Sequence, residues 1–206
     1  MSKYTYILDA GHGGMINGIY QTKGKQSPLF ADNTRLREGV NNREIVELLK
    51  KEFKENDITF FDCVNSQSDI SLEKRVKIAN DFALKNKCVY ISIHSDANGD
   101  GVKWDLASGM SVYTSIGQTQ SDVFAELVIN ELQDNFKSTV KWRLDNTDKD
   151  KDKEENFYVL KHTSMPAILC ELGFHTNLDE CTKMKTIEFK NKIVLSIIYA
   201  IKKYEL

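Results

Sequence analysis

Apolar residues occur along this chain in two alternating patterns. Short continuous runs predict buried strands: Ile7-Leu8 leading to Ala10, Ile58-Thr59-Phe60-Phe61, Cys88-Val89-Tyr90-Ile91-Ser92-Ile93, and Met165 to Cys170, with Pro166 opening the last. Cys88 to Ile93 is apolar almost throughout, as strands are when helices cover both faces of a sheet. Between the runs, apolar residues recur at intervals of three and four. Ile45, Leu48, Leu49 and Phe53 predict a helix from about Asn41 to near Asn56. Leu72, Val76, Ala79 and Ala83 predict a second, with Ser71 as its N-cap and Glu73 in its first turn. Phe124, Leu127, Val128 and Leu132 predict a third, and Ile193, Val194, Ile197, Ala200, Ile201 and Tyr204 the last. Gly109 to Thr114 alternates like a further strand, and Phe157 to Leu160 fits a short strand or a helical turn. Strands alternating with helices give the fold class: α/β, a three-layer sandwich with a largely parallel central sheet flanked by helices. With no internal repeat and no Pro/Gly/Ser-rich linker, residues 1–206 are expected to form one domain.

Two segments follow neither pattern. The loop from Gly13 to Gly39 is polar and exceeds the ~12–15 residues usual for an unstructured connection, which marks it as functional or mobile. The mixed-charge run from Asp145 to Glu155 cannot bury enough apolar surface to pack and reads as a solvated loop. Trp142 and Arg143 just before it give it a second reading, as a loop facing a substrate.

Composition narrows the partners. At 206 residues and 41% apolar content the chain can bury a sizeable core. A net charge of −2 gives no electrostatic reason to expect nucleic acid or an anionic membrane surface. No stretch approaches the ~18 apolar residues of a membrane span. Met1-Ser2-Lys3-Tyr4 enters the first strand without an apolar signal core, so synthesis in the cytoplasm without a signal peptide is expected. Cys63, Cys88, Cys170 and Cys181 lack any C-x-x-C spacing and read as packing residues.

The candidate chemistry lies at strand ends. His12 follows the first strand among Gly11, Gly13 and Gly14, where a tight turn lets another group approach the backbone closely. His94 closes the Cys88 strand, Glu171 closes the Met165 strand, and the long first loop carries Glu38. In a parallel sheet the carboxyl ends of the strands share one edge, so these four residues converge. Two histidines, a carboxylate and a water make a catalytic zinc site, and a second carboxylate beside it can act as general base. The residues alone leave the two glutamates interchangeable. No helix carries H-E-x-x-H, no G-x-S-x-G surrounds Ser92 or Ser95, and neither a G-x-G-x-x-G nor a P-loop lysine follows the first strand. Cys170 should point away from the face that Glu171 occupies. Asp96, Asn98, Asp100 and Gly101 resemble the start of a calcium loop, but its twelfth position is Ala107 rather than glutamate, so a polar turn is the better reading. His162 and His175 lie near the last strand, where each could face the cleft, and surface residence is the better reading.

These residues also resemble a known family, the zinc-dependent N-acetylmuramoyl-L-alanine amidases of the amidase-3 type. The resemblance rests on five blocks in order: Leu8 to Gly14; Glu38 with Asn42; Ser71-Leu72 with Arg75 and Ala79-Asn80; Ser92 to Ala97; and Met165 to Phe174 with Asn177. It implies that His12, Glu38 and His94 bind Zn²⁺ and that Glu171 is catalytic. The implied reaction is hydrolysis of the amide joining N-acetylmuramic acid to L-alanine in bacterial peptidoglycan. The expected partner is thus the peptidoglycan substrate, without nucleic acid or membrane insertion.

The long loop before Glu38 and the charged loop near Asp148 look particular to this chain, and such loops would set which wall is cut. A member of this family made without an export signal looks like a bacteriolytic endolysin that acts on the cell wall after release. Two alternatives differ in outcome: a zinc peptidase acting on the stem peptide, and a non-catalytic cell-wall-binding module on the same fold.

Overall fold

A computed structural model describes residues 2–145, 147 and 150–206. In chain order the strands are β1 (Thr5–Ala10), β2 (Met15–Ile16), β3 (Ile19–Tyr20), β4 (Phe60–Asp62), β5 (Cys88–Asp96), β6 (Met110–Thr114), β7 (Lys153–Glu154) and β8 (Ala167–Phe174). The helices are α1 (Glu38–Glu55), α2 (Leu72–Ala83), α3 (Gln120–Phe136), α4 (Tyr158–His162), α5 (Leu178–Met184) and α6 (Ile187–Tyr204). The central sheet has the order β4-β1-β5-β8-β6-β7. β4, β1, β5 and β8 run parallel, whereas β6 is antiparallel to β8 and β7 follows β6.

The sheet's period of two sorts its side chains between two helical layers. Tyr6, Leu8 and Ala10 of β1, with Val89, Ile91 and Ile93 of β5, enter the core beneath α1, α3 and α6. Ile7, Tyr90 and Leu169 point the other way and pack with Val76 and Ala79 of α2 and Val159 and Leu160 of α4. This is the three-layer α/β sandwich the patterning predicts. All four cysteines are free and buried, and Cys170 lies in the α1, α3, α6 layer, opposite Glu171. No helix among the described residues is long and apolar enough to cross a membrane.

Several boundaries differ from those expected. α1 begins at Glu38 rather than near Asn41, so Glu38 is the first residue of a helix and not part of a loop. The usual start signal is missing because Arg37, the N-cap, makes no side-chain cap. The Glu38 amide instead donates to the Lys25 carbonyl at 3.0 Å, tying the helix start to the loop before it. That loop is not featureless: β2 and β3 pair as a hairpin within it. β5 runs past His94 to Asp96 and β8 past Glu171 to Phe174, so both residues are in mid-strand, directly opposite each other in register. Beyond them β8 advances three residues, from Glu171 to Phe174, while β5 advances two, from His94 to Asp96, which is a bulge. Gly173 supplies the left-handed backbone there, at φ 94°. Of Phe157 to Leu160, Tyr158 onward forms the start of α4, with Phe157 as its N-cap. Part of the mixed-charge run, Asn146, Asp148 and Lys149, lies outside the described residues; its end forms β7 on the sheet edge.

Candidate metal centre and active site

The first ligand candidate is held by backbone geometry. His12 has φ 63°, in the left-handed region that few non-glycine residues occupy. Arg75 of α2 fixes it there: its guanidinium donates to the carbonyls of His12 at 3.0 Å, Ala10 at 2.7 Å and Ile70 at 2.8 Å, and pairs with the Asp9 carboxylate. Asp9 and Arg75 are both nearly fully buried. Burial would raise the Asp9 pKa, but the Arg75 charge and a 2.6 Å hydrogen bond from Ser92 outweigh it and hold the carboxyl below its usual value. The tight turn has a steric reason as well. A Cβ on Gly11 would collide with the His94 imidazole, and one on Gly39 would collide with the Gly13 carbonyl.

Around this turn three donors converge. His12 Nε2 lies 3.2 Å from Glu38 Oε2, and His94 Nδ1 lies 3.1 Å from Glu38 Oε1. The two rings stand edge to face, with centroids 5.0 Å apart. His12, Glu38 and His94 each offer one ligand atom within 4.8 Å of the others, the one such His/Cys/Asp/Glu group among the described residues. Glu38 is buried, which would raise its pKa, yet hydrogen bonds and charge from His12 and His94 hold it well below the usual carboxylate range. Two imidazoles and a carboxylate, borderline donors with one side open to a cleft, suit a catalytic Zn²⁺ rather than a closed structural site.

Glu171 faces this group from β8 and is in a contrasting state. Its Oε2 is buried without a hydrogen-bond partner. Burial, reinforced by Glu38 and Asp96 against the opposing charges of His94 and Arg143, pushes its pKa up to about 8. An orphaned carboxylate oxygen beside three metal-type donors fits a cationic group and a reacting water better than it fits a protein partner.

The cleft has a volume of about 350 Å³ and is walled by Phe157 just before α4, Tyr158 and Val159 of α4, Leu72 at the start of α2, and Lys25 of the first loop. A larger groove of about 570 Å³, lined by Val40, Leu48 and Ile187 among others, includes no histidine and none of these four residues. The structure therefore brings together all four residues that the sequence singles out. It corrects one other reading: His175 is 1% exposed and sits behind Glu38 instead of on the surface. Burial lowers its pKa, so the ring is neutral at pH 7. His162 is exposed at the end of α4. Arg143 braces Asp96, donating also to Ser111 at 2.8 Å, with its guanidinium 4.6 Å from the Phe174 ring centroid. Asp96 thus belongs to an ion pair, and Asp100 closes a local turn onto the Val102 amide, as the polar-turn reading requires.

A largely parallel sheet that gathers two histidines and two glutamates from the turn after β1, the start of α1, β5 and β8 into one cleft defines a site of the metal-dependent hydrolase class. The sequence model of N-acetylmuramoyl-L-alanine amidases, amidase-3 type, matches residues 7–203, and the chain belongs to that family. It is 30% identical to the uncharacterized protein YqiI of Bacillus subtilis, over 97% of this chain and 84% of that one. It is 28% identical to a putative N-acetylmuramoyl-L-alanine amidase of Buchnera aphidicola, over 98% and 94% of the two chains. The crystal structure of an N-acetylmuramoyl-L-alanine amidase from Clostridium difficile 630 superposes with a TM-score of 0.79 at 26% identity, over 99% of this chain and 97% of that one.

Proposed function

We propose that this amidase-family chain hydrolyses the amide between the lactyl group of N-acetylmuramic acid and L-alanine in bacterial peptidoglycan, with His12, Glu38 and His94 holding Zn²⁺ and Glu171 moving the proton. The observation that carries this reading is the convergence of His12, Glu38 and His94 within 4.8 Å of one another, beside the orphaned oxygen of Glu171. When bound, zinc supplies Lewis acidity, bringing the pKa of water toward ~7 and polarising a carbonyl. The chain's own residues supply the rest. Glu38 keeps both carboxylate oxygens on the two histidines, which fixes the donor set before any metal binds. Glu171 takes a proton from the attacking water and returns it to the leaving amine of L-alanine, so its carboxylate is regenerated with each turnover. Its pKa of about 8 already includes the charges of His94 and Arg143; a cation held by His12, Glu38 and His94 would draw it further down, toward the range where proton exchange near neutral pH is efficient. Leu72, Phe157 and Tyr158 give the cleft an apolar wall that limits water around the scissile bond.

The test is a digest of purified peptidoglycan by the zinc-loaded protein, read by mass spectrometry. Intact glycan strands with whole stem peptides released are the expected products. Shortened stems would mark a peptidase, and an unchanged sacculus would mark a binding module. The lytic role is a finer reading of the same activity, supported by the family resemblance, and predicts that purified protein clears a suspension of susceptible walls.

A further inference from the structure

His175 is a buried titratable side chain beside the site that the reaction above does not use. It is 1% exposed, just beyond the bulge that separates the His94–Glu171 pair from the Asp96–Phe174 pair. Its backbone amide donates to the Asp96 carbonyl at 2.8 Å, and its Nδ1 lies 3.0 Å from Ser95 Oγ and 3.1 Å from the Ser95 carbonyl oxygen. The ring therefore grips the residue that follows His94. Ser95 in turn donates its backbone amide to Glu38 Oε1 at 3.2 Å, while His175 Nδ1 stands 3.9 Å from Glu38 Oε2. His175 Nε2 is buried without a partner. A proton on Nδ1 satisfies the Ser95 carbonyl and leaves an acceptor unpaired, whereas a proton on Nε2 would strand a buried donor, the rarer situation in proteins.

We infer that His175 is a positioning residue for the metal centre: its Nδ1–H clamps Ser95 at the bulge, and the Ser95 amide sets the Glu38 carboxylate between His12 and His94. The inference rests on the zinc-site reading above and adds to it a residue that touches neither metal nor substrate. Groups that orient metal ligands in this way typically contribute 10–100-fold to metal affinity. Packing alone would make any side chain of similar size equivalent. A clamp through Nδ1 does not, because the donor must stand at one place on the ring.

Two substitutions separate these cases. His175→Asn presents an amide N–H close to the position of Nδ1, and His175→Gln presents one near Nε2. Zinc affinity is measured by competition with a chromophoric chelator, alongside the thermal midpoint of the metal-free proteins and the visible spectrum of the Co²⁺-loaded forms. The expected result is wild-type-like zinc affinity and Co²⁺ bands for His175→Asn, and affinity weaker by about 10–100-fold with altered bands for His175→Gln. Equal affinities in the two variants, whether both retained or both lost, would overturn the positioning role. If Asn fails to fold while Gln folds and binds zinc normally, the clamp is likewise wrong. Wild-type protein that binds no zinc would sink the underlying site reading and the inference with it. Wild-type binding with both variants unchanged would sink the inference alone.

Discussion

Glu38 and Glu171 line one cleft, yet their carboxyl groups are driven in opposite directions. Both lose solvation, which favours the protonated acid. At the start of α1, Glu38 regains more than it loses from hydrogen bonds with two imidazoles and stays ionised. On β8, Glu171 has an oxygen with no partner and is raised to about 8. The same contrast recurs away from the cleft opening. Asp9 resembles Glu38, with its charge compensated by Arg75. Asp152 resembles Glu171: burial, then Asp150 and Asp122 against a 2.6 Å hydrogen bond from Thr114, raise it to about 7. Environment rather than residue type thus separates the proposed ligand from the proposed base, and neighbouring acids with divergent pKa values are how one site divides such labour.

The largest effects are expected at the cleft. Glu171→Gln should lower kcat by about 10²–10⁴-fold while zinc content stays at the wild-type level. Glu38→Gln should instead lose zinc on mild dialysis and recover part of its activity when metal is added back. Metal analysis and turnover on both variants decide the assignment; a folded, zinc-loaded and active Glu171→Gln would contradict it.

A smaller effect is expected at the compensated pair. Arg75→Met leaves the Asp9 carboxyl buried without its cation and should cost about 3–5 kcal/mol of unfolding free energy near pH 7, read by denaturant titration. The sign with pH follows from the depressed Asp9 pKa. The stability it contributes is fully present above the unfolded value of 3.8 and is lost as pH falls through the lower folded value. The gap between wild type and Arg75→Met should therefore close in acid. A gap that does not depend on pH would mean Arg75 acts through packing alone.

The smallest effect is expected at Asp152. Its folded pKa of about 7 lies above the unfolded 3.8, so its favourable contribution is complete below 3.8 and is lost as pH rises through about 7. Asp152→Asn, neutral at every pH, should raise the thermal midpoint above pH 7 and leave it unchanged below pH 3.8. Thermal scans across that range give the answer. A variant less stable than wild type at pH 8 would show that the carboxylate is compensated after all.

Much of this was legible in the chain, for identifiable reasons. β1 and β5 carry apolar side chains toward both layers, so composition alone marked them. α2 announced its start through Ser71, whose side chain accepts the Lys74 amide at 3.4 Å. The start of α1 was hidden, because Arg37 is no capping residue and the helix is begun by the Lys25 carbonyl, a partner distant along the chain. β5 and β8 extend past the ends of their apolar runs, because His94 and Glu171 interrupt the runs while sheet pairing carries both strands onward. His175 gave no periodic signal at all. Its burial depends on a bulge, which arises only when two strands are laid side by side.

By itself the sequence determined the layers, the direction of most strands, and the inventory of candidate donors beside the apolar runs, because periodicity and glycine placement are local properties of the chain. It could not decide which glutamate would be ionised, which histidine would be buried, or how His12 would be held in a left-handed turn. Those outcomes depend on charges and hydrogen bonds between residues far apart in sequence, Arg75 with Asp9, His94 with Glu38, His175 with Ser95, and such energies exist only once the fold has brought the partners within a few ångströms.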